Sequence, residues 1–411
     1  MVKRIRLFIA ALVMSLLAAA GFAQGQKSVV LNFWYWDQNG EEVYKQAITE
    51  FEKVNPNIQI NMMIIPWSDY WTKLQTSLPT GTGPDVFWLN HPNAVTYMPT
   101  GLLLDLEPAA GQIHFENFEK NFYAPFTSNG KRYGVPLFYD SIVLFYNKAL
   151  FDKAGVKYPT DSWTWNDYFD AAKKLTVKKD GKTTQYGTIA ESDPQSGISN
   201  FIFQNGGSIF SSDKMKCVID SPENRETVQN QLDLIYKYGY APPIQEVRES
   251  GASTMFQSGL IAMMPYISAN LKQYAEVLGK DLGVAPLPKQ KQKASVYHNL
   301  AYAASAKTAH PTETKAFLAF LASKRHAEIL SKVWSPCFKD SAELYFKEYS
   351  WLDTKYITEA ITYGHALPIS GKNAGQVYTL LGNELDKVYA NPQVGTGLAN
   401  VQSVINAQIA K

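Results

Sequence analysis

Trp36, Asp37 and Gln38 stand directly after an apolar, β-prone run, Val29 to Trp34, so a flat indole, a carboxylate and an amide are delivered together at a strand end. Asn90 and His91 stand in the same relation to Val86–Leu89, and Glu191 and Ser192 follow the apolar run Tyr186 to Ala190. Such sets suit recognition better than bond breaking. Carboxylates and amides meet hydroxyl groups at a ligand's edge, and rings cover its C–H faces. The signatures of catalysis are missing by comparison. There is no G-x-S-x-G elbow and no H-E-x-x-H helix; Gly181-Lys182-Thr183 lacks the upstream glycine of a phosphate loop, and Gly395-Thr396-Gly397 lacks the third glycine of a dinucleotide fingerprint. His91 has no second His or Cys at zinc spacing, so neither a metal nor another cofactor is expected.

The elements that must position these residues alternate in period. After Val29–Trp34, the residues Val43, Ala47, Ile48, Phe51 and Val54 form one helical stripe that Asn55-Pro56-Asn57 ends. Ile58, Ile60, Met62 and Ile64 then alternate like a strand, Tyr70, Leu74 and Leu78 return to helical spacing, and Val86–Leu89 is a further strand. Trp34, Tyr70 and Trp71 read as packing; Trp67 is open. This strand-helix alternation predicts an α/β sheet with ligand-facing loops at the carboxyl ends of its strands. Farther on, Tyr133 to Pro136 and Ile142–Tyr146 read as strands separated by a polar segment, Leu137 to Ser141. Thr164-Trp165-Asn166-Asp167 fits a capping box opening a helix through Leu175. Leu282 to Pro288 reads as a strand crossing between lobes, and a helix starts at Pro311. No Ser/Gly linker or internal repeat appears, so crossing strands tie the lobes and act as a hinge.

Residues 1–23 read as a secretory leader: Lys3, Arg4 and Arg6 precede an apolar stretch ending in Gly21-Phe22-Ala23. The stretch is shorter than the ~20 residues of a membrane span, and no Cys follows it for acylation. A soluble, periplasmic mature protein is expected. The remaining chain exceeds the ~250–300 residues at which single cores stop growing, so two lobes are expected. The leader takes three of the 39 basic residues with it, leaving them nearly balanced against 37 acidic ones, which gives no footprint for nucleic acid or an anionic membrane. Cys217 and Cys337 are the two cysteines; whether they bridge is open. The aromatic content is high, with 9 Trp, 24 Tyr and 21 Phe, which favours surfaces that grip a polar ligand with flat faces.

An ordered series of short stretches resembles the sugar-binding proteins of bacterial ABC importers, of the maltodextrin-binding type. It runs from Leu31-Asn32-Phe33-Trp34 through Gly83-Pro84-Asp85-Val86-Phe87-Trp88, Gly101-Leu102-Leu103, Tyr133-Gly134-Val135-Pro136, Phe145-Tyr146-Asn147-Lys148 and Trp163-Thr164-Trp165 to Phe256-Gln257-Ser258-Gly259 and Gly283-Val284-Ala285-Pro286-Leu287-Pro288. The resemblance implies an α/β, two-lobe periplasmic binding protein fold with its ligand cleft at a hinge. One lobe would take 24–137 with 289–332, the other 138–288 with 333–411. It implies a carbohydrate ligand, a permease with its ATPase as partner, and a monomer. It also implies polar contacts at Asn90 and His91, an acidic contact at Asp140 beside Tyr139, and a stacking ring at Tyr266, which follows Pro265, read as the end of a strand. Asn299 and Trp334 complete the expected set. Pro92 departs from the charged residue that relatives often carry there. The rival readings are a binding protein for a non-sugar such as a polyamine, and a secreted glycoside hydrolase, for which no carboxylate pair is marked.

Overall fold

The computed structural model describes residues 28–391 and 393–411; the expected leader at 1–23 lies outside the described residues. The opening alternation is present. Strand β1 (Val29–Tyr35) leads through a short turn to helix α1 (Glu41–Val54), strand β2 (Ile58–Ile64), helix α2 (Trp67–Ser77), strand β3 (Val86–Asn90) and helix α3 (His91–Tyr97). The α1 stripe buries Val43, Tyr44, Ala47, Ile48 and Phe51, while Glu41 and Glu42 in its first turn and Lys53 in its last complement the helix dipole. β1 runs parallel to both β2 and β3, as strands joined by helical crossovers must.

Strand β4 (Val135–Asn147) is continuous and buried at every one of its 13 residues. The polar segment Leu137 to Ser141 is therefore part of a strand and does not separate two of them. Its polar groups are satisfied where they lie: Asp140 faces His298 across the sheet, and the Ser141 hydroxyl donates to the Ile357 carbonyl at 2.9 Å. The amino-terminal half of β4 pairs with strand β7 (Val296–Ala304), and the carboxyl-terminal half pairs with β5 (Met263–Ile267) and β6 (Leu282–Ala285). β6 thus stays on one side of the molecule, and β7 is the second crossing strand. β7 is antiparallel to β3, so the sheet order is β6-β4-β7-β3-β1-β2. Pro265 lies inside β5, which pairs with β4 alone and tolerates the missing N–H there.

Two hydrophobic cores result. The first holds Leu31 to Tyr139 and Leu300 to Cys337; the second holds Ile142 to Val296 and Tyr345 to Ile405. Both β4 and β7 pass from one core into the other, with Asp140 and Ser141 on one strand and His298 and Asn299 on its neighbour at the junction. In the second core, the capping box at Thr164 and Asp167 opens α4 (Trp165–Leu175). Gly181-Lys182-Thr183 sits at a hairpin between Val177–Lys179 and Lys182–Gln185. The chain ends in two helices, α5 (Ala374–Ala390) and α6 (Val394–Ile409). Cys217 and Cys337 are both free and buried, one in each core. Among the described residues no helix is long and apolar enough to cross a membrane, and no group of three or more His, Cys, Asp or Glu could hold a metal ion.

Candidate ligand cleft

A cavity of about 720 Å³ opens between the two cores. Helices α2 and α3 form its first wall, with Trp67, Trp71, Gln75, Asn90, Asn93 and Tyr97. These helices start where β2 and β3 end, as an α/β sheet places its ligands. On α2 the core stripe is Tyr70 and Leu74; Trp67, Trp71 and Gln75 are spaced four apart on the adjoining stripe and face the opening. Trp67 remains 49% exposed. Its ring meets Trp71 edge to face at 5.3 Å, and Trp36 sits against both at 5.1 and 5.5 Å. Behind Trp36, Tyr70 and Trp88 close the stack, the Tyr70 hydroxyl donating to the Trp88 carbonyl at 2.8 Å. The indole N–H of Trp71 is buried without a partner. Asn90 caps α3, its Oδ1 accepting from the Asn93 amide at 3.2 Å and from the Asn93 side chain at 2.8 Å.

The opposite wall is charged. Arg248 donates to both oxygens of Asp386, at 2.6 and 3.2 Å, and to the Ser192 hydroxyl at 3.1 Å; Ser192 in turn donates to Asp386. Asp193 accepts from the backbone amides of Gln195 and Ser196 at 2.9 and 2.7 Å and from the Ser196 hydroxyl at 2.9 Å. That hydroxyl also lies 3.1 Å from Glu191, which is 7% exposed. Burial pushes the Glu191 carboxyl up to about 7, and the neighbouring Asp193 charge adds to the rise. Tyr378 on α5 completes this wall, its phenol raised well above the usual range by burial and then by Asp193 and Asp140.

The ten residues singled out from the sequence are not brought together as one set. Asn90 lines the cavity. Trp36 stands one layer behind it, half-buried; Asp37 accepts from the Asn39 amide at 2.9 Å, with its carboxyl raised by burial, and Gln38 is exposed beside it. His91 turns to the other side of α3, where burial lowers its imidazole to about 3. Tyr139 stacks on Phe122 at 5.0 Å, and Asn299 donates to the Phe122 carbonyl at 2.6 Å. Asp140 sits at the junction of the cores, 3.2 Å from His298 Nδ1, and accepts from Gln195 at 3.0 Å. Tyr266 is half-buried on β5, its phenol raised by burial and then by Glu191. Trp334 is 1% exposed, stacked on Phe138 at 4.8 Å within the first core. Trp67, Trp71, Arg248, Tyr378 and Asp386 were absent from that set. The four-residue spacing of Trp67, Trp71 and Gln75 was the available signal for the first wall; Arg248 and Asp386 lie too far apart in sequence to offer one.

The arrangement, two α/β bodies joined by crossing strands around an aromatic and polar cleft, is matched by known proteins. Residues 36–328 match the model of the bacterial extracellular solute-binding protein family. The chain belongs to this family. This solute-binding protein is 28% identical over 318 residues to an arabinooligosaccharide-binding protein of Bacillus subtilis, covering 74% of this chain and 71% of that one. It is 27% identical over 251 residues to a binding protein of Brucella abortus, a match that takes 60% of this chain and spans 59% of that relative. Among solved structures, an ABC substrate-binding protein from Listeria monocytogenes in complex with cycloalternan superposes with a TM-score of 0.86 at 27% identity, over 93% of this chain and 99% of that one. The solute-binding protein therefore has the two-lobe fold that the sheet and the two cores describe.

Proposed function

We propose that this protein is the extracellular substrate-binding component of an ABC importer, that it captures a sugar or oligosaccharide between its lobes, and that it hands the ligand to a membrane permease driven by an ATPase. The observation that carries this reading is the composition of the cleft. Trp67, Trp71 and Tyr97 on one wall and Tyr378 on the other offer flat faces, and the amides of the first wall with the hydrogen-bonded carboxylates of the second offer edges. The charges argue against ionic ligands. Among the described residues Arg248 is the one basic residue lining the cavity and already holds Asp386 in a two-point ion pair, so a phosphate ester finds no free cation among them. Asp193 is occupied by three donors, which leaves little for a polyamine. The names of relatives that bind arabino-oligosaccharides and cycloalternan support the same ligand class.

Closure follows from linkage: a ligand touching both walls favours the closed arrangement by its differential contacts there. The lobes in this reading follow the division at 24–137 with 289–332 and 138–288 with 333–411. The cores support shifts at its edges, since Tyr139, Val333, Trp334 and Cys337 pack with the first core and Ala294 and Val296 with the second. Export through a cleaved leader, a monomeric state and the absence of hydrolytic activity belong to the same reading.

A thermal-shift panel of mono- and oligosaccharides, polyamines and phosphate esters tests it. A sugar at 100 times its dissociation constant should add about 2.7 kcal/mol of stability and be recovered uncleaved. Stabilisation by charged solutes alone overturns the ligand class, and cleavage of the sugar overturns the carrier role.

A further inference from the structure

The cleft between the lobes is divided. Besides the 720 Å³ cavity, a second one of about 620 Å³ lies on the far side of α3, lined by His91, Val95, Met98 and Pro99 from the first lobe and by residues 213–215, 369–374 and 409–411 from the second. α3 shows one face to each: Asn93, Thr96 and Tyr97 turn to the first cavity, His91 and Val95, with Met98 just past the helix end, to the other. What separates them is the approach of the start of α5 to α3. The Gly375 amide donates to the Thr96 hydroxyl at 3.2 Å, and that hydroxyl lies 3.3 Å from the Pro92 carbonyl, to which it donates. The approach leaves no room for a side chain, since a Cβ at Gly375 would stand 2.6 Å from Asn93 Oδ1. Asn93 cannot swing aside freely, because its amide is bonded to Asn90.

The two compartments also differ in chemistry. The first has indole and phenol rings; the second, among the described residues, has none, and joins the aliphatic chains of Val95, Met98, Met215, Ile369 and Ile409 to three lysines, Lys214, Lys372 and Lys411. A saccharide finds stacking faces in the first compartment and loses them beyond the contact.

We infer that the Thr96–Gly375 contact is the end wall of the ligand site, and that it limits the length of saccharide the closed protein accepts. The inference rests on the sugar-binding reading. A chain longer than the first compartment must either protrude through the open mouth or push α3 and α5 apart, and the second course removes an interlobe hydrogen bond that helps hold the closed state.

The test is calorimetric affinity for two ladders, arabino-oligosaccharides and malto-oligosaccharides of one to about six units, with the mature wild type, Thr96→Ala and Gly375→Ala. Sugar-free melting curves identify any variant that fails to fold, and the other then carries the comparison. In the wild type, affinity should rise with length, then fall on the order of tenfold at one rung. In the variants that fall should shrink or move to a longer rung. A wild-type profile without a drop, or variants that weaken every rung equally, overturns the wall and leaves the sugar-binding reading standing. Binding of no rung on either ladder overturns both.

Discussion

The two walls of the cleft are built on opposite principles. On the first, Trp36, Trp67, Trp71, Tyr70 and Trp88 hold one another edge to face, and the polar groups offered, Gln75, Asn90 and Asn93, are neutral amides. On the second, two separate charged hydrogen-bond sets stand beside Tyr378, Arg248 with Asp386 and Ser192, and Asp193 with Ser196 and Glu191. A wall of rings keeps its shape by packing, and its affinity for a ligand should vary little with pH or salt. A wall of charges keeps its shape by pairing, and everything that changes protonation reaches it. The difference gives one lobe ring faces with neutral amides and the other lobe charged groups.

The largest effect should come from the layer behind the first wall. Trp334 stacks on Phe138 at an interplanar angle of 12°, meets Trp88 at 5.4 Å, and packs where a Cβ on Gly40 would stand 2.7 Å from its ring. Trp334→Ala should cost about 3–5 kcal/mol of stability in urea unfolding while leaving sugar affinity of the folded protein nearly unchanged. An affinity loss that matches the stability loss would show that this rear layer belongs to the binding surface, and the two walls would then differ less than their outward faces suggest.

The second wall is tested by pH. Glu191 titrates near 7 in the folded protein against 4.5 for its ordinary value, because burial and then Asp193 disfavour its charge. A raised folded value favours the protonated form. Its contribution is therefore complete below pH 4.5 and is lost as pH climbs through about 7, so stability should decline across that window by up to about 3 kcal/mol. Glu191→Gln should flatten the decline and leave the variant the more stable protein at pH 8, as read by melting curves between pH 4 and 8. An unchanged slope in the variant would place the titration elsewhere, and the charged wall would lose its distinguishing property.

The same contrast explains what could be read in the sequence. The opening elements were legible because each has one clean period: Val43, Ala47, Ile48 and Phe51 recur at helical spacing, and Ile58 to Ile64 alternate. The crossing strands were not. Tyr139, Asp140 and Ser141 resemble a turn in isolation, and His298 and Asn299 interrupt the apolar pattern of β7, yet Asp140 and His298 face each other across the sheet and satisfy each other in the interior. Polarity that is paired across a sheet carries no local signature. The first wall was half legible. Asn90 follows a strand as expected, and Trp71, which reads as packing, does pack against the first core but also lines the cavity. The second wall was legible only in Glu191 and Ser192, which follow an apolar run, since Arg248 and Asp386 meet only through the tertiary fold.

The smallest predicted effect separates the two ways an indole can serve on the first wall. Trp71 has ring contacts to Trp36, Trp67 and Tyr70, and among the described residues its N–H is the one polar atom of that cluster buried without a partner. A buried donor left unpaired costs free energy, and a ligand oxygen or a bridging water in the loaded cleft would recover it. Trp71→Phe keeps a ring against its neighbours and removes the donor. Calorimetry should then show sugar affinity lower by about 1 kcal/mol, roughly fivefold, with little change in the melting temperature of the sugar-free protein. If affinity holds, the rings of the first wall contribute faces alone, and directed bonds come from its amides and from the charged lobe. If affinity falls as expected, the aromatic wall also contributes one directed bond, and the division of labour between the walls is one of degree.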